Sequence, residues 1–279
     1  MKLRLLALSF FIVLLSCSSD DGDDPVNTEK NLLEINITND YYKFRYEFSG
    51  NKLSEIYQYD LNNNLLNAYE YHYSANGILN DIVYLDNLMQ PTGTHNEFTY
   101  DSQGRMIKDA LKALNNEGEE IEDYTEFIYN DDNTITVNDV YVNTVPETKT
   151  YHLNSQGIVY KIVSELTGNV DEEEVVYAND CIVSHTKEGY TTTYTYDVTT
   201  EVKGHYLKSD LNMFNGNVLN HQLFARGFVN KSYTKYISSV ENPFTNVSYT
   251  YMFDEDGYPV NRYMYSDNVL LSEETITYE

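Results

Sequence analysis

The chain has 279 residues, of which 44 are acidic and 18 basic, giving a formal charge of −26, and it carries 28 Tyr and no Trp. A field of that sign repels nucleic acid and anionic membrane surfaces, so no nucleic-acid partner is expected. Divalent cations or a basic partner remain compatible with it.

At the N-terminus, Lys2 and Arg4 precede an apolar run from Leu5 to Leu15 broken only by Ser9, and Leu14-Leu15-Ser16-Cys17 follows. Residues 1–16 therefore read as a secretory signal peptide. The run falls short of the roughly 20 residues that a spanning helix needs. The small residue before Cys17, with Leu14 two places ahead of it, resembles the lipobox of bacterial lipoproteins. That resemblance implies a diacylglycerol on the Cys17 thiol and an acylated amine after cleavage, and several chains anchor stably where one holds marginally. Cleavage would remove Lys2 and Arg4 and no acid, taking the formal charge from −26 to −28.

Residues 17–31, "CSSDDGDDPVNTEKN", are polar and acidic and offer nothing to bury, so they read as a flexible tether. Asp20, Asp21, Asp23 and Asp24 resemble the short acidic signal that sends lipoproteins of the phylum Bacteroidota to the outer face of the outer membrane; a plain solvated linker is the alternative. With Cys17 lipidated, Cys181 has no disulfide partner, and in "CIV" it reads as a small buried hydrophobe. The remaining chain, residues 32–279, is ample for a core that holds without bridges.

The tyrosines recur in a frame: aromatic, any residue, aromatic, Asp or Asn, a short polar stretch, then aliphatics. It stands at Tyr57-Gln58-Tyr59-Asp60, Tyr71-His72-Tyr73, Phe98-Thr99-Tyr100-Asp101, Phe127-Ile128-Tyr129-Asn130 and Tyr151-His152-Leu153-Asn154. A degenerate copy runs from Val175 and Tyr177 to Ile182, a half copy is Tyr194-Thr195-Tyr196-Asp197, and the last is Tyr251-Met252-Phe253-Asp254 with Gly257. Aromatics two apart share one side of a strand. The Asp or Asn that follows starts a turn and the Gly supplies positive φ. Each copy thus encodes strand, turn, strand, and repetition means hairpins that bury their faces on one another. The expected fold is all-β, with consecutive antiparallel hairpins forming a large curved sheet or barrel. Only "IKDALKALNNEGEE", Ile107 to Glu120, leaves a short helix open beside a strand and loop.

The frame resembles the tyrosine-aspartate repeats of Rhs-type wall proteins, although a clean Gly-Arg pair occurs only at Gly104-Arg105. The lipobox, the acidic tether, the spaced repeats and the stretch "NPFTNVSYTYMFDEDGYPV" with "EETITYE" are similar to a Bacteroidota lipoprotein family, a domain of unknown function with a porin-like β fold. This resemblance implies a large antiparallel sheet or barrel and no known activity.

Candidate chemistry is sparse. Asp254, Glu255 and Asp256 before Gly257 begin like a calcium loop, but Tyr258, Pro259, Val260, Asn261 and Arg262 follow where further ligands would be needed, so a turn is expected and no metal or cofactor is assigned. The run Asp171-Glu172-Glu173-Glu174 reads as a solvated loop. His72, His95, His152, His185, His205 and His221 show no metal spacing, and His72 and His152 should face away from the tyrosines. No catalytic residue emerges, since nucleophile elbows, phosphate loops and dinucleotide fingerprints are absent.

The frame tyrosines are expected to be core, with Tyr41, Tyr190 and Tyr206 as extra aromatics. The expected function is that of an outer-membrane lipoprotein anchored through Cys17, cell-surface facing, acting as a non-catalytic binding module for a protein or glycan. A structural envelope component without a ligand and a glycan-active hydrolase are the alternatives, and a membrane-spanning barrel is the alternative fold.

Overall fold

A computed structural model describes residues 30–50, 52–142, 144–166, 168–178, 181–201, 203 and 235–279. The signal peptide, Cys17, the tether up to residue 29, His205, Tyr206 and His221 lie outside the described residues.

The described chain is all-β, with 18 strands. They are β1 (Leu32–Asn39), β2 (Lys43–Ser49), β3 (Lys52–Tyr59), β4 (Leu65–Tyr73), β5 (Leu79–Leu85), β6 (Pro91–Tyr100), β7 (Met106–Leu114), β8 (Glu120–Tyr129) and β9 (Thr134–Val140). They continue as β10 (Glu147–Leu153), β11 (Val159–Leu166), β12 (Asn169–Ala178), β13 (Cys181–Lys187), β14 (Tyr190–Glu201), β15 (Lys235–Asn242), β16 (Thr245–Phe253), β17 (Pro259–Ser266) and β18 (Val269–Tyr278). Each strand pairs antiparallel with its neighbours in sequence, and β1 pairs with β18 from Leu32↔Tyr278 to Asn39↔Ser272. The sheet is therefore closed into an up-and-down barrel, which leaves no edge for another chain to pair with.

This connectivity creates two unlike rims. Odd strands begin and even strands end at the proximal rim, where the chain also comes in and leaves: Asn31 and Glu279 exchange backbone bonds of 3.2 and 2.9 Å. The odd-to-even hairpins all lie at the distal rim. Every frame copy except the first sits on an even strand, toward the proximal rim, so the repeat unit is a pair of strands.

Alternation places the frame aromatics inside. The lateral row Ile276, Ile35, Tyr46, Ile56, Tyr69, Tyr84 runs in register across β18 and β1 to β5. Tyr46, Ile135, Val137, Val159 and Tyr236 have no exposed surface, so the barrel is not an open tube at this level. Burial of such side chains contributes about 1.5–3 kcal/mol each.

A second interaction recurs with the frame. The hydroxyls of Tyr73, Tyr100, Tyr129, Tyr177 and Tyr196 donate to the carbonyls of Leu53, Leu79, Met106, Val159 and Ile182, at 2.6 to 3.0 Å. Each reaches back to the start of the preceding strand. In the last copy the second aromatic is Phe253, which has no hydroxyl, and Tyr251 makes the bond instead, to Ile237 at 3.0 Å. Bulges fall beside these residues, between His72 and Tyr73, Thr99 and Tyr100, Val176 and Tyr177, and Thr195 and Tyr196. A bulge interrupts the ladder and sharpens strand twist, and the tyrosine bond pins the strand at that place.

The turns follow the expected chemistry. Asp101 Oδ1 accepts from the amides of Gln103 and Arg105, both at 2.9 Å, and Gly104 adopts φ +77°. Neutral Asn154 holds the same turn through Gln156 and Ile158.

The outer wall is polar. Glu34, Glu47, Glu55 and Glu70 stand side by side across β1 to β4, an arrangement that repels. Each has a local partner: Asn36 donates to Glu34 at 2.5 Å, Arg45 pairs with Glu47 at 3.0 Å, the Tyr57 hydroxyl donates to Glu55, and His72 lies 3.7 Å from Glu70. Arg45 also covers the Tyr57 ring at 4.3 Å. A lipid-spanning barrel needs an apolar outward band, and charges at mid-wall cost about 2–4 kcal/mol each for Lys or Arg. This wall instead carries charges on its outside, with the aromatic and aliphatic core within.

Two expectations are corrected by the structure, and one left open between helix and strand is decided. The segment from Ile107 is strand β7 followed by a turn, not a helix. The run Asp171 to Glu174 lies within β12 rather than in a loop, because Glu173 gains partners inside the barrel. Tyr57 and Tyr59 face outward, since their copy sits on an odd strand at the distal rim, where Tyr57 registers with Arg45 and Ala68.

Removing one tyrosine bond, by Tyr129→Phe, should lower stability by about 1 kcal/mol, the net value of one hydrogen bond; no change in the urea midpoint would show that the bond carries nothing. Gly104→Ala should cost about 1–2 kcal/mol from left-handed strain alone, because a Cβ there meets nothing within 4 Å. Equilibrium unfolding of this variant against the parent checks the figure.

Candidate functional site

Along several strands the inward side chains change character halfway to the distal rim. On β9, Ile135 and Val137 are followed by Asp139; on β12, Tyr177 and Val175 are preceded by Glu173 and Asp171. The proximal half is thus an aromatic plug and the distal half a polar belt.

The belt is connected across strands. Tyr84 donates to Asn96 at 2.7 Å, and Asn96 donates to Asp109 at 3.1 Å. Thr125, opposite Asp109, donates to Asp139 at 2.6 Å, and Lys149 bridges Asp139 at 2.8 Å and Glu147 at 3.1 Å. Burial works against the Lys149 ammonium, but Asp139 and Glu147 outweigh it and hold its pKa above the ordinary value. Ser164 continues the row between Lys149 and Asp171.

On the next strands, buried Glu173 is 3.1 Å from His185 Nε2 and 2.8 Å from Lys187 Nζ. Burial alone would raise the Glu173 pKa; the bonds from His185 and Lys187 overcome this and set it below the ordinary 4.5. Arg262 and Glu274 form a further buried pair inside the wall. Acids therefore outnumber bases on this inner face, and Asp139, Glu147, Glu173 and Glu274 each face a basic partner.

The rim above the belt has its own pattern. Among the described residues, sixteen of the twenty-two exposed large hydrophobics lie at the distal rim, and only six elsewhere. Tyr41 and Tyr42 top the β1–β2 hairpin, Leu61 the β3–β4, Leu88 and Met89 the β5–β6, and Leu114 the β7–β8. Tyr141, Val142 and Val145 top β9–β10, Leu166 and Val170 β11–β12, Tyr190 β13–β14, Phe244 β15–β16, and Val269 and Leu270 β17–β18. Every distal hairpin thus carries at least one, and Tyr190 meets Phe244 edge-on at 4.8 Å between neighbouring hairpins. Scattered exposed apolar residues are ordinary, whereas a ring of them on one face is not.

Residues singled out in the sequence are mostly kept apart. His72 and His152 both face outward as expected, but on β4 and β10, where His72 bonds Asp81 at 2.6 Å and His152 lies beside Tyr160. Cys181 is buried at the start of β13. Asp254 accepts from the amides of Asp256 and Tyr258, at 3.0 and 2.9 Å, the bonding that neutral Asn154 also makes. The same loop fixes the chain as it reaches the barrel, because Asp254 and Asp256 grip Lys30 at 2.8 and 2.6 Å. Among the described residues, no three His, Cys, Asp or Glu are grouped to hold a metal. Sequence reasoning missed Asp139, Glu173, His185 and Arg262. For Asp139 and Glu173 the one signal is a core residue two positions away on the same strand face, Val137 and Val175.

No family model matches the chain, and no curated protein matches it. Among solved structures it is similar to a porin-like protein from Bacteroides vulgatus, at 14% identity and TM-score 0.47, covering 90% of this chain and 99% of that one. A porin-like protein from Bacteroides uniformis gives 14% identity and TM-score 0.37, with 76% and 96% covered. A TcdB2-TccC3 structure gives 11% identity and TM-score 0.33, with 81% of this chain and 13% of that one covered.

The Glu173 pKa yields a pH prediction. A carboxyl set lower in the folded state than in the unfolded chain adds stability that is complete above the ordinary 4.5 and is lost as pH falls through the folded value. Glu173→Gln should cost about 1–3 kcal/mol at neutral pH. Below pH 4.5 its stability should fall less steeply than the parent's. Parallel urea-midpoint curves for the two proteins would remove Glu173 as a contributor.

Proposed function

We propose that the protein is an outer-membrane lipoprotein, anchored through Cys17 and facing the cell surface, whose barrel is a non-catalytic binding module for a protein or glycan. The observation that carries this reading is the polarity of the outer wall: a barrel charged on its outside stands in water, so a separate anchor is what would keep it at a membrane. The lipobox supplies that anchor at the N-terminus, and Lys30 and Leu32 bring the chain in at the proximal rim. A tether of fifteen residues reaches at most about 50 Å, so the proximal rim would face the membrane and the distal rim the surroundings.

The inward frame tyrosines favour the structural alternative, because buried rings cannot stack on a ligand. The ring of apolar side chains on the distal hairpins favours binding, since a component without a partner gains nothing from exposing it.

Fractionation of cells with and without Cys17→Ala tests the anchor: the parent should sediment with the outer membrane and be cut by external protease, and the variant should leave that fraction. An unchanged distribution would overturn the anchored reading. Saturable capture of a partner by cross-linking on intact cells tests the binding role.

A further inference from the structure

We infer that the distal rim is a docking surface for a basic, apolar polypeptide segment of a partner protein. This rests on the binding-module reading above and gives it a place and a chemistry.

The rim combines two features. Leu61, Leu88, Phe244 and Val269 stand on four different hairpins, with Leu88 73% and Phe244 74% exposed. Exposed acids stand among them, including Asp40, Glu117, Glu188 and Asp267. Lys187 at this rim is paired with Glu173, and Lys43, bonded to neutral Asn63 at 2.6 Å, keeps its charge but is outnumbered by the acids. Behind the rim lies the acid-rich belt, so the field at the mouth is negative on the edge and within.

Charge chooses among occupants of an apolar ring. A second copy would bring the same acidic rim against this one, and anionic lipid would meet the same repulsion. A segment that alternates apolar and basic side chains satisfies both features: its apolar groups cover the ring, and its cations meet the acids between. Aromatic and aliphatic anchors would carry the affinity, and the charges the encounter rate and selectivity.

The test uses the intact lipoprotein in phosphatidylcholine nanodiscs, with empty discs as the blank. The probes are a synthetic peptide of alternating Lys and Leu, and Glu/Leu and Lys/Ser peptides of equal length. Saturable binding is expected for Lys/Leu only, weakened at least tenfold by Leu88→Ser with Phe244→Ser. Both positions are exposed, and an unchanged thermal midpoint would confirm that the pair leaves the fold intact. Binding of Glu/Leu as tight as Lys/Leu, or binding indifferent to the two substitutions, would overturn the inference. Recruitment of added phosphatidylcholine vesicles would overturn it in favour of a lipid surface, and rim-dependent pairing of discs in favour of a second copy. If no peptide binds while cross-linking still captures a partner that the rim variant retains, the rim assignment falls and the binding-module reading stands. If neither experiment finds a partner, both fall.

Discussion

The barrel depends on one constraint: eighteen short strands must close on themselves, and among the described residues there is no helix or second sheet for so long a wall to pack against. Its inward face must therefore form the core. Aromatics toward the ends of the even strands meet that demand, since large rings reach further across the interior than aliphatics do. The tyrosine hydroxyls add the second part of the solution. Each bonds a carbonyl at the start of the preceding strand, and Tyr73, Tyr100, Tyr177 and Tyr196 do so next to a bulge that disturbs the ladder, so a side chain ties the wall where its pairing is interrupted. Asp254 and Asp256, gripping Lys30, tie the incoming chain to the same rim.

From that constraint the two ends diverge. With the proximal half filled by rings, the distal half holds polar groups, and these survive burial because each finds an opposite charge or a hydroxyl across the strand. Thr125, Asp139 and Lys149 form one such chain, and Glu173, His185 and Lys187 another. The acid surplus of the sequence is placed mainly outside and at the mouth. The outer row of Glu34, Glu47, Glu55 and Glu70 shows how the fold tolerates repulsion, by giving each carboxylate a nearby donor or cation on its own or the next strand. Such a wall turns charge outward around the barrel, and most of the exposed apolar side chains among the described residues are gathered at one rim.

Much of the architecture was legible because period-two patterning and turn chemistry are local. Phe98, Tyr100 and Asp101 declare a strand and its turn without reference to the rest of the chain. The same reasoning went astray at Tyr57 and Tyr59, where the frame is intact but the strand has the other parity and shows its rings to solvent. It went astray again at Asp171 to Glu174, where four consecutive acids look like a solvated loop. Alternation sends Glu173 inward, and only His185 and Lys187, brought alongside by β13, make that tolerable. The distal apolar ring was equally hidden: Leu61, Leu88, Phe244 and Val269 are ordinary one at a time, and they stand far apart in the chain.

By itself, the sequence determined the all-β class, the hairpin unit and its turns, since these follow from side-chain alternation and backbone conformational preference. Tertiary structure decided that β1 meets β18, which face each strand turns inward, and which charges become neighbours. These depend on register summed around the whole ring, and one added or missing residue in any hairpin would exchange inside for outside.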